Sequence, residues 1–297
     1  MPTPHAPSAS QSRASLSWRS SPPPRPLAVL ATLTASLIVA FALLSTVEAR
    51  EQPILLTQAK AAGLRGKTLG VTRRAIKPSF VAATAGKATF ALLGAAAMAS
   101  EGNKIVVDNG IPDPADLIER ELTAILVQQH GLVTKPELPT AIVTKNDLKA
   151  YVAAQPNADL VLDIRSGGWG FNYYPTRWGT YWVVYSVELN LLDVKTSERL
   201  VHVACNTNTI KHSAPPSKEA LLDNQAQLLK DVLAALSWNC VQLLAKEPFA
   251  IPAENTAQPP AALADPLTAA AARHGTPSPA TAAPAQNPES STAGPSP

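Results

Sequence analysis

Apolar and polar positions alternate with a period of two along three stretches of the chain and with a period near 3.6 along three others. In 158–165, Leu160, Leu162 and Ile164 alternate with Asp159, Asp163 and Arg165, the signature of a half-buried strand. Residues 180–194 repeat it over a longer span, with Tyr181, Val183, Tyr185, Val187, Leu189 and Leu191 on one face and Trp182 on the other. Lys195-Thr196-Ser197-Glu198 is a polar turn, and 199–210 returns with Val201, Val203 and Cys205 on one face, so the two stretches predict a long antiparallel hairpin. Asp113-Pro114 pairs a helix cap with proline at the first helical position. Ile118, Leu122, Ile125 and Leu126 then form one stripe until Gly131 closes the helix. A shorter helix is expected over 144–155, and a long one, capped by Ser217, carries Leu221, Leu229, Val232, Leu236 and Cys240 towards Lys246. Upstream, 67–72 reads as a short strand and the Ala/Gly-rich 80–99 as a helix that can approach a neighbour closely. Lys87 and an uncharged run of only 13 residues, 88–100, argue against a membrane-inserted hairpin there. These elements predict an α+β fold: a small, mostly antiparallel sheet with a long hairpin, covered by helices on one face.

Composition divides the 297 residues. Seven of 28 prolines lie in 1–26 and eleven in 248–297. Both ends are poor core material, so 1–26 is expected as a disordered leader and 248–297 as a disordered Pro/Ala-rich tail, with at most a transient helix at 263–273. Between the leader and the domain, 21 uncharged residues from Leu27 to Val47 follow Arg13, Arg19 and Arg25 with no acid before them, the polarity of an export signal. Val47-Glu48-Ala49 offers small residues where a signal peptidase reads, so 27–49 is either cleaved after Ala49 or retained as an inner-membrane anchor, with membrane contact through 27–47. Either way a single domain, 50–247, is expected in the periplasm.

Charge and chemistry narrow the function classes. The near-neutral total of +3 excludes a chain built around nucleic-acid charge. Residues 50–104 carry nine basic and two acidic side chains, read either as a site for an anionic partner or, preferably, as a face that pairs with the acidic remainder of the domain. Gly63-Leu64-Arg65-Gly66-Lys67-Thr68 lacks the first glycine of a phosphate loop and opens a strand, not a helix. Five scattered histidines form no metal-ligand repeat, no serine-nucleophile motif is present, and no cofactor or metal is implied. Asp159, Asp163 and Arg165 are read as a solvated strand face with a lateral ion pair, and His202 as a solvent-facing strand residue. Cys205 and Cys240 lie on apolar faces that should meet: they are either a disulfide, closing a 36-residue loop and contributing roughly 3–4 kcal/mol, or two buried thiols. The anomaly is aromatic. Eight of the 15 Phe, Trp and Tyr fall between 169 and 185. Trp169, Phe171, Tyr173, Tyr174 and Trp178 lie in GGWGFNYYPTRWG, read as a loop because its glycines and proline break regular structure. Such a loop either recognises a partner, with Arg177 beside Trp178, or packs its own aromatics.

The segments DLIERELTAILVQQHGLV, ADLVLDIRSGG and YWVVYSVELNLLDVKTSERLVHVAC, a helix leading to a three-stranded sheet interrupted by one loop, resemble small α+β domains of bacterial envelope proteins related to the curli-secretion lipoprotein and the penicillin-binding-protein activator lipoproteins. The resemblance spans about 130 residues. It implies a periplasmic domain with helices on one face of a sheet that works by binding partners, without catalysis. The chain departs from that group in having no cysteine before Cys205 to accept a lipid, and in its Gly/Ala helix. The expected function is a non-enzymatic, exported envelope protein that binds another envelope protein through the aromatic loop. The alternative is a carbohydrate or peptidoglycan binder that stacks sugars on the same rings.

Overall fold

The computed structural model describes residues 51–88, 91–256 and 258–274. The leader, the export or anchor segment and residues 275–297 lie outside the described residues.

Among the described residues six strands form one sheet: β1 (Leu69–Arg74), β2 (Phe80–Ala83), β3 (Ala141–Val143), β4 (Leu160–Tyr174), β5 (Arg177–Asp193) and β6 (Arg199–Asn208). Their order is β3–β1–β4–β5–β6, with β2 also on β4. β4, β5 and β6 are the antiparallel meander expected from their alternation. β1 lies parallel to both β3 and β4, and β2 parallel to β4 further along the same edge. The helices are α1 (Gln58–Ala62), α2 (Ala85–Ala88), α3 (Ala91–Asn109), α4 (Pro114–His130), α5 (Leu148–Ala154), α6 (Lys218–Phe249) and α7 (Pro266–His274). The architecture is α+β.

One core sits between the sheet and its main helical layer. Leu160, Leu162 and Ile164 of β4, the odd-numbered residues of β5 from Tyr181 to Leu191, and Val201, Val203 and Cys205 of β6 are buried there with Ile118, Leu122 and Leu126 of α4 and Leu229, Val232 and Leu236 of α6. α4 starts as the sequence dictates, with the Asp113 carboxylate accepting from the Ala115 N–H, and ends on Gly131 in the left-handed region at φ 66°. Among the described residues the opposite face carries α5, whose Tyr151 packs with Val143, Val161 and Leu192. Its cap is Asp147, so the expected helix over 144–155 is shorter, and 141–143 is a strand. Phe80 likewise begins a strand, not the Gly/Ala helix, which is α3.

α3 does allow a close approach: a Cβ on Gly102 would stand 1.9 Å from the Phe80 carbonyl oxygen, and one on Gly170 of β4 2.2 Å from that of Val81. β2 is thus held tightly on both sides. α6 is the one described helix long and apolar enough to cross a membrane, but its buried stripe closes the core, which makes it a core helix. It is interrupted at Asp223–Ala226, where Asn224, Gln225 and Ala226 have φ of 48°, 56° and 57°. Cys205 and Cys240 are joined in a disulfide with their Cα atoms 5.7 Å apart, tying α6 to β6.

One expectation is corrected by the packing. The Pro/Ala-rich tail does not become unstructured at 248: Phe249, Ile251, Thr256, Leu267 and Ala270 are buried, and Leu263 packs against the same core. Few apolar residues suffice because the long helices already supply the surface on which they lie. The basic segment is no separate patch. Lys60 pairs with Glu198 (2.5 Å), Lys67 with Asp193 (3.0 Å) and Arg73 with Glu119 (3.0 Å), so these three cations meet acids of the 105–247 part of the domain, as expected of a face that pairs within it.

Candidate functional site

The aromatic segment is not a loop. β4 and β5 run through it with only Pro175 and Thr176 between them. One extra residue in β4, at Gly167, explains why the strand was hidden. Before it, Ile164 lies opposite Leu189 and Ser166 opposite Val187; after it, Gly168 lies opposite Ser186 and Trp169 opposite Tyr185. The bulge moves the core-facing set of β4 from even to odd numbers. Trp169 and Phe171 therefore continue the stripe of Leu160, Leu162 and Ile164.

Both are core residues, not members of a binding loop. Trp169 is 4% exposed, donates its indole N–H to the Pro78 carbonyl at 2.9 Å and stands edge-on to Phe80 at 5.2 Å between ring centres. Phe171 is fully buried and meets Phe80 and Tyr181 edge-to-face. Tyr174 is also buried, with its hydroxyl donating to the Ile210 carbonyl at 2.8 Å and the Arg177 guanidinium 4.6 Å above its ring. Burial pushes the Tyr174 phenol up, against the pull of Arg177.

What remains outside is the tip. Trp178 is 75% exposed, Arg177 is exposed and Tyr173 half-buried, with the Tyr173 and Trp178 rings 6.3 Å apart and tilted by 39°. Gly179, at φ 81°, turns the chain just after Trp178. Of the six predicted binding residues the structure leaves three together at the surface: Tyr173, Arg177 and Trp178.

A feature that the sequence reading missed crosses the sheet. Thr72, Asp163, Asn190 and His202 stand in register on β1, β4, β5 and β6, and all four are buried. Thr72 Oγ1 donates to Asp163 Oδ1 and Asn190 Nδ2 to Oδ2, both at 3.2 Å, and Asn190 Oδ1 lies 3.0 Å from His202 Nδ1. Asp163 and His202 are therefore not the solvated residues expected. Arg74 and Arg165, whose charges act on Asp163, both donate to the Tyr151 hydroxyl (3.0 and 2.8 Å), which donates to Asn146 (2.5 Å). The lateral ion pair of this face is Arg165 with Glu188. Burial raises the Asp163 pKa, opposed by Arg165. Asp159 lies apart and exposed, its carboxylate held low by the backbone and hydroxyl of Thr68. The signal for the row was four polar residues at matching positions of four strands, visible only once register is known. Among the described residues no three His, Cys, Asp or Glu side chains gather as a metal cluster.

No family model matches the chain, and no curated protein does. Solved structures share partial likeness with the chain, among them the following three. The hypothetical protein CT253 from Chlamydia trachomatis is 10% identical, covering 63% of this chain and 100% of its own at a TM-score of 0.30. Lipoprotein GNA1162 from Neisseria meningitidis is 14% identical over 48% and 82% of the two chains at 0.18. The LpoB C-terminal domain from Escherichia coli is 15% identical over 51% and 95% at 0.15. At such overlap the function of this chain has to be read from its own residues.

Proposed function

We propose that the protein is an exported, non-catalytic binding module of the cell envelope that contacts another envelope protein through the tip of its β4–β5 hairpin. The observation that carries this reading is Trp178, an indole 75% exposed beside Tyr173 and Arg177. Trp, Tyr and Arg are the residues in which protein interfaces concentrate binding energy, and a tip presented by two long paired strands loses little freedom on docking. Export is supported by the apolar run 27–47 behind its arginines and by the Cys205–Cys240 disulfide, which belongs to an oxidising compartment. Whether 27–49 is cleaved or kept as an anchor, the domain faces the same side. A role without catalysis is supported by the burial of Asp163 and His202, each held in place by Asn190.

The test is site-specific photocrosslinking of the full chain in its native host, from position 178 and, as control, from exposed Lys195 at the far turn of β5. The reading expects a discrete protein adduct from 178 alone. Identical adducts from both positions, no adduct from 178, or an adduct that a muramidase digests away would overturn it, the last in favour of a glycan ligand.

A further inference from the structure

The sheet is split along one edge of β4. β1 pairs with β4 only as far as Thr72 opposite Asp163 but stays on β3 through Arg74, and β2 joins β4 only at Phe80 opposite Trp169. Residues 164–168 of β4 therefore have no strand partner on that side among the described residues. The bulge at Gly167 falls within this gap, and the linker 75–79 runs along its outside. A cavity of about 420 Å³ occupies the notch, lined by Ile76, Ile164, Ser166 and the cations Arg74, Lys77 and Arg165, with the acids Asp113, Asp116 and Glu188. Ser166 ties this place to α4 by donating to the Asp113 carboxylate at 2.6 Å.

Four cations reach the notch and three are matched. Arg73 is bidentate on Glu119, Lys77 lies 3.6 Å from Asp113, and Arg165 pairs with Glu188. Arg74 is different. Its Nη2 donates to Tyr151, but its Nε is buried with no acceptor. Asp163, whose charge Arg74 feels, already has one donor on each carboxylate oxygen. Nε lies out of reach beneath the surface, but Arg74 is only half-buried and has no carboxylate partner of its own, so an oxyanion in the cavity meets it at its terminal nitrogens and supplies the counter-charge that Arg73, Lys77 and Arg165 already have.

We propose that the notch binds a small carboxylate, its planar head on the Arg74 fork and its short aliphatic body against Ile76 and Ile164. The planar match of carboxylate to guanidinium selects this head group. The volume suits a body of one or two residues, and the open β4 edge offers backbone partners to a peptide C-terminus that a free acid does not use. This site is independent of the hairpin tip.

The test is calorimetric titration of the full chain with Ala-Ala, its C-terminal amide, acetate and inorganic phosphate, each in parallel with Arg74→Gln. The expected result is one saturable site for Ala-Ala below ~10 mM, with the amide and Arg74→Gln each weaker by about ten-fold or more. Acetate binding as well as Ala-Ala assigns the site to free acids, and weaker acetate assigns it to peptide ends. Should Arg74→Gln fail to fold, Arg74→Lys, which keeps the charge and loses the planar fork, serves in its place and weakens Ala-Ala about three-fold or more. No saturable carboxylate binding, equal binding of the amide, phosphate binding as tightly, or variants that bind like the wild type would each overturn the proposal.

Discussion

Replacing Trp169 and Trp178 in turn separates a hairpin from a loop. Nine residues apart in one aromatic run, they are 4% and 75% exposed. A tryptophan side chain offers roughly 200 Å² of largely apolar surface, which at about 25 cal/mol per Å² corresponds to about 5 kcal/mol when fully buried. Trp169→Ala also strands the Pro78 carbonyl that its indole N–H serves. Such truncations cost about 3–5 kcal/mol in cores, so Trp169→Ala should lower the melting temperature by roughly 6–20 °C at about 2–4 °C per kcal/mol for a domain of this size. Trp178 has only a quarter of its surface covered, so Trp178→Ala should cost ~1 kcal/mol or less. The assay is urea unfolding followed by far-UV circular dichroism, since tryptophan fluorescence changes with the substitutions themselves. Trp169→Phe, which keeps a ring against Phe80, should fall between the two and covers the case in which the alanine variant does not fold. Equal costs for Trp169→Ala and Trp178→Ala would refute the placement of Trp169 in the core and return the segment to a loop.

Three other outcomes follow from the packing. Cys205 and Cys240 close a loop with a sequence separation of 35, so replacing both by alanine should destabilise the domain by about 4 kcal/mol on the loop-entropy account, read from urea midpoints with and without reductant; no difference would mean that the bond is not formed. Asp163 has a pKa raised by burial, so its charged form weakens the fold as pH rises above the ordinary carboxylate value near 4, and protonation restores that stability as pH falls. Asp163→Asn, able to accept from Asn190 and donate to Thr72, should therefore stabilise the protein at pH 8, with the gain shrinking towards pH 4; a gain constant with pH would contradict the buried charge. Gly102→Ala places a Cβ 1.9 Å from the Phe80 carbonyl and should cost about 1–3 kcal/mol and speed hydrogen exchange in β2, whereas Gly86→Ala, with nothing within 4 Å, should be neutral.

The elements that could be read from the sequence were those with an unbroken period. Leu160 to Ile164, Tyr181 to Leu191 and Ile118 to Leu126 alternate or stripe without interruption, and each lies where the pattern put it. Reading failed where the period changes. At Gly167 one inserted residue reverses the parity of β4, so Trp169 and Phe171 looked like loop aromatics when they continue a buried face. β2 and β3, four and three residues long, are too short for any period and are fixed by tertiary partners such as Asn103, whose side chain accepts from the Phe80 N–H at 3.0 Å. The buried row from Thr72 to His202 and the notch beside it depend on register and on where two parallel strands part, which local pattern does not encode. The tip is legible because Trp178 lies in the irregular stretch between the Tyr174–Arg177 and Tyr173–Tyr181 pairs, where it has no partner on β4.

The affinity of the partner crosslinked at position 178 for the wild type and for Trp178→Ser tests the central claim most directly. An interface centred on this indole predicts a loss of about ten-fold or more with an unchanged melting temperature. An affinity unchanged in a folded Trp178→Ser variant would contradict recognition through the hairpin tip.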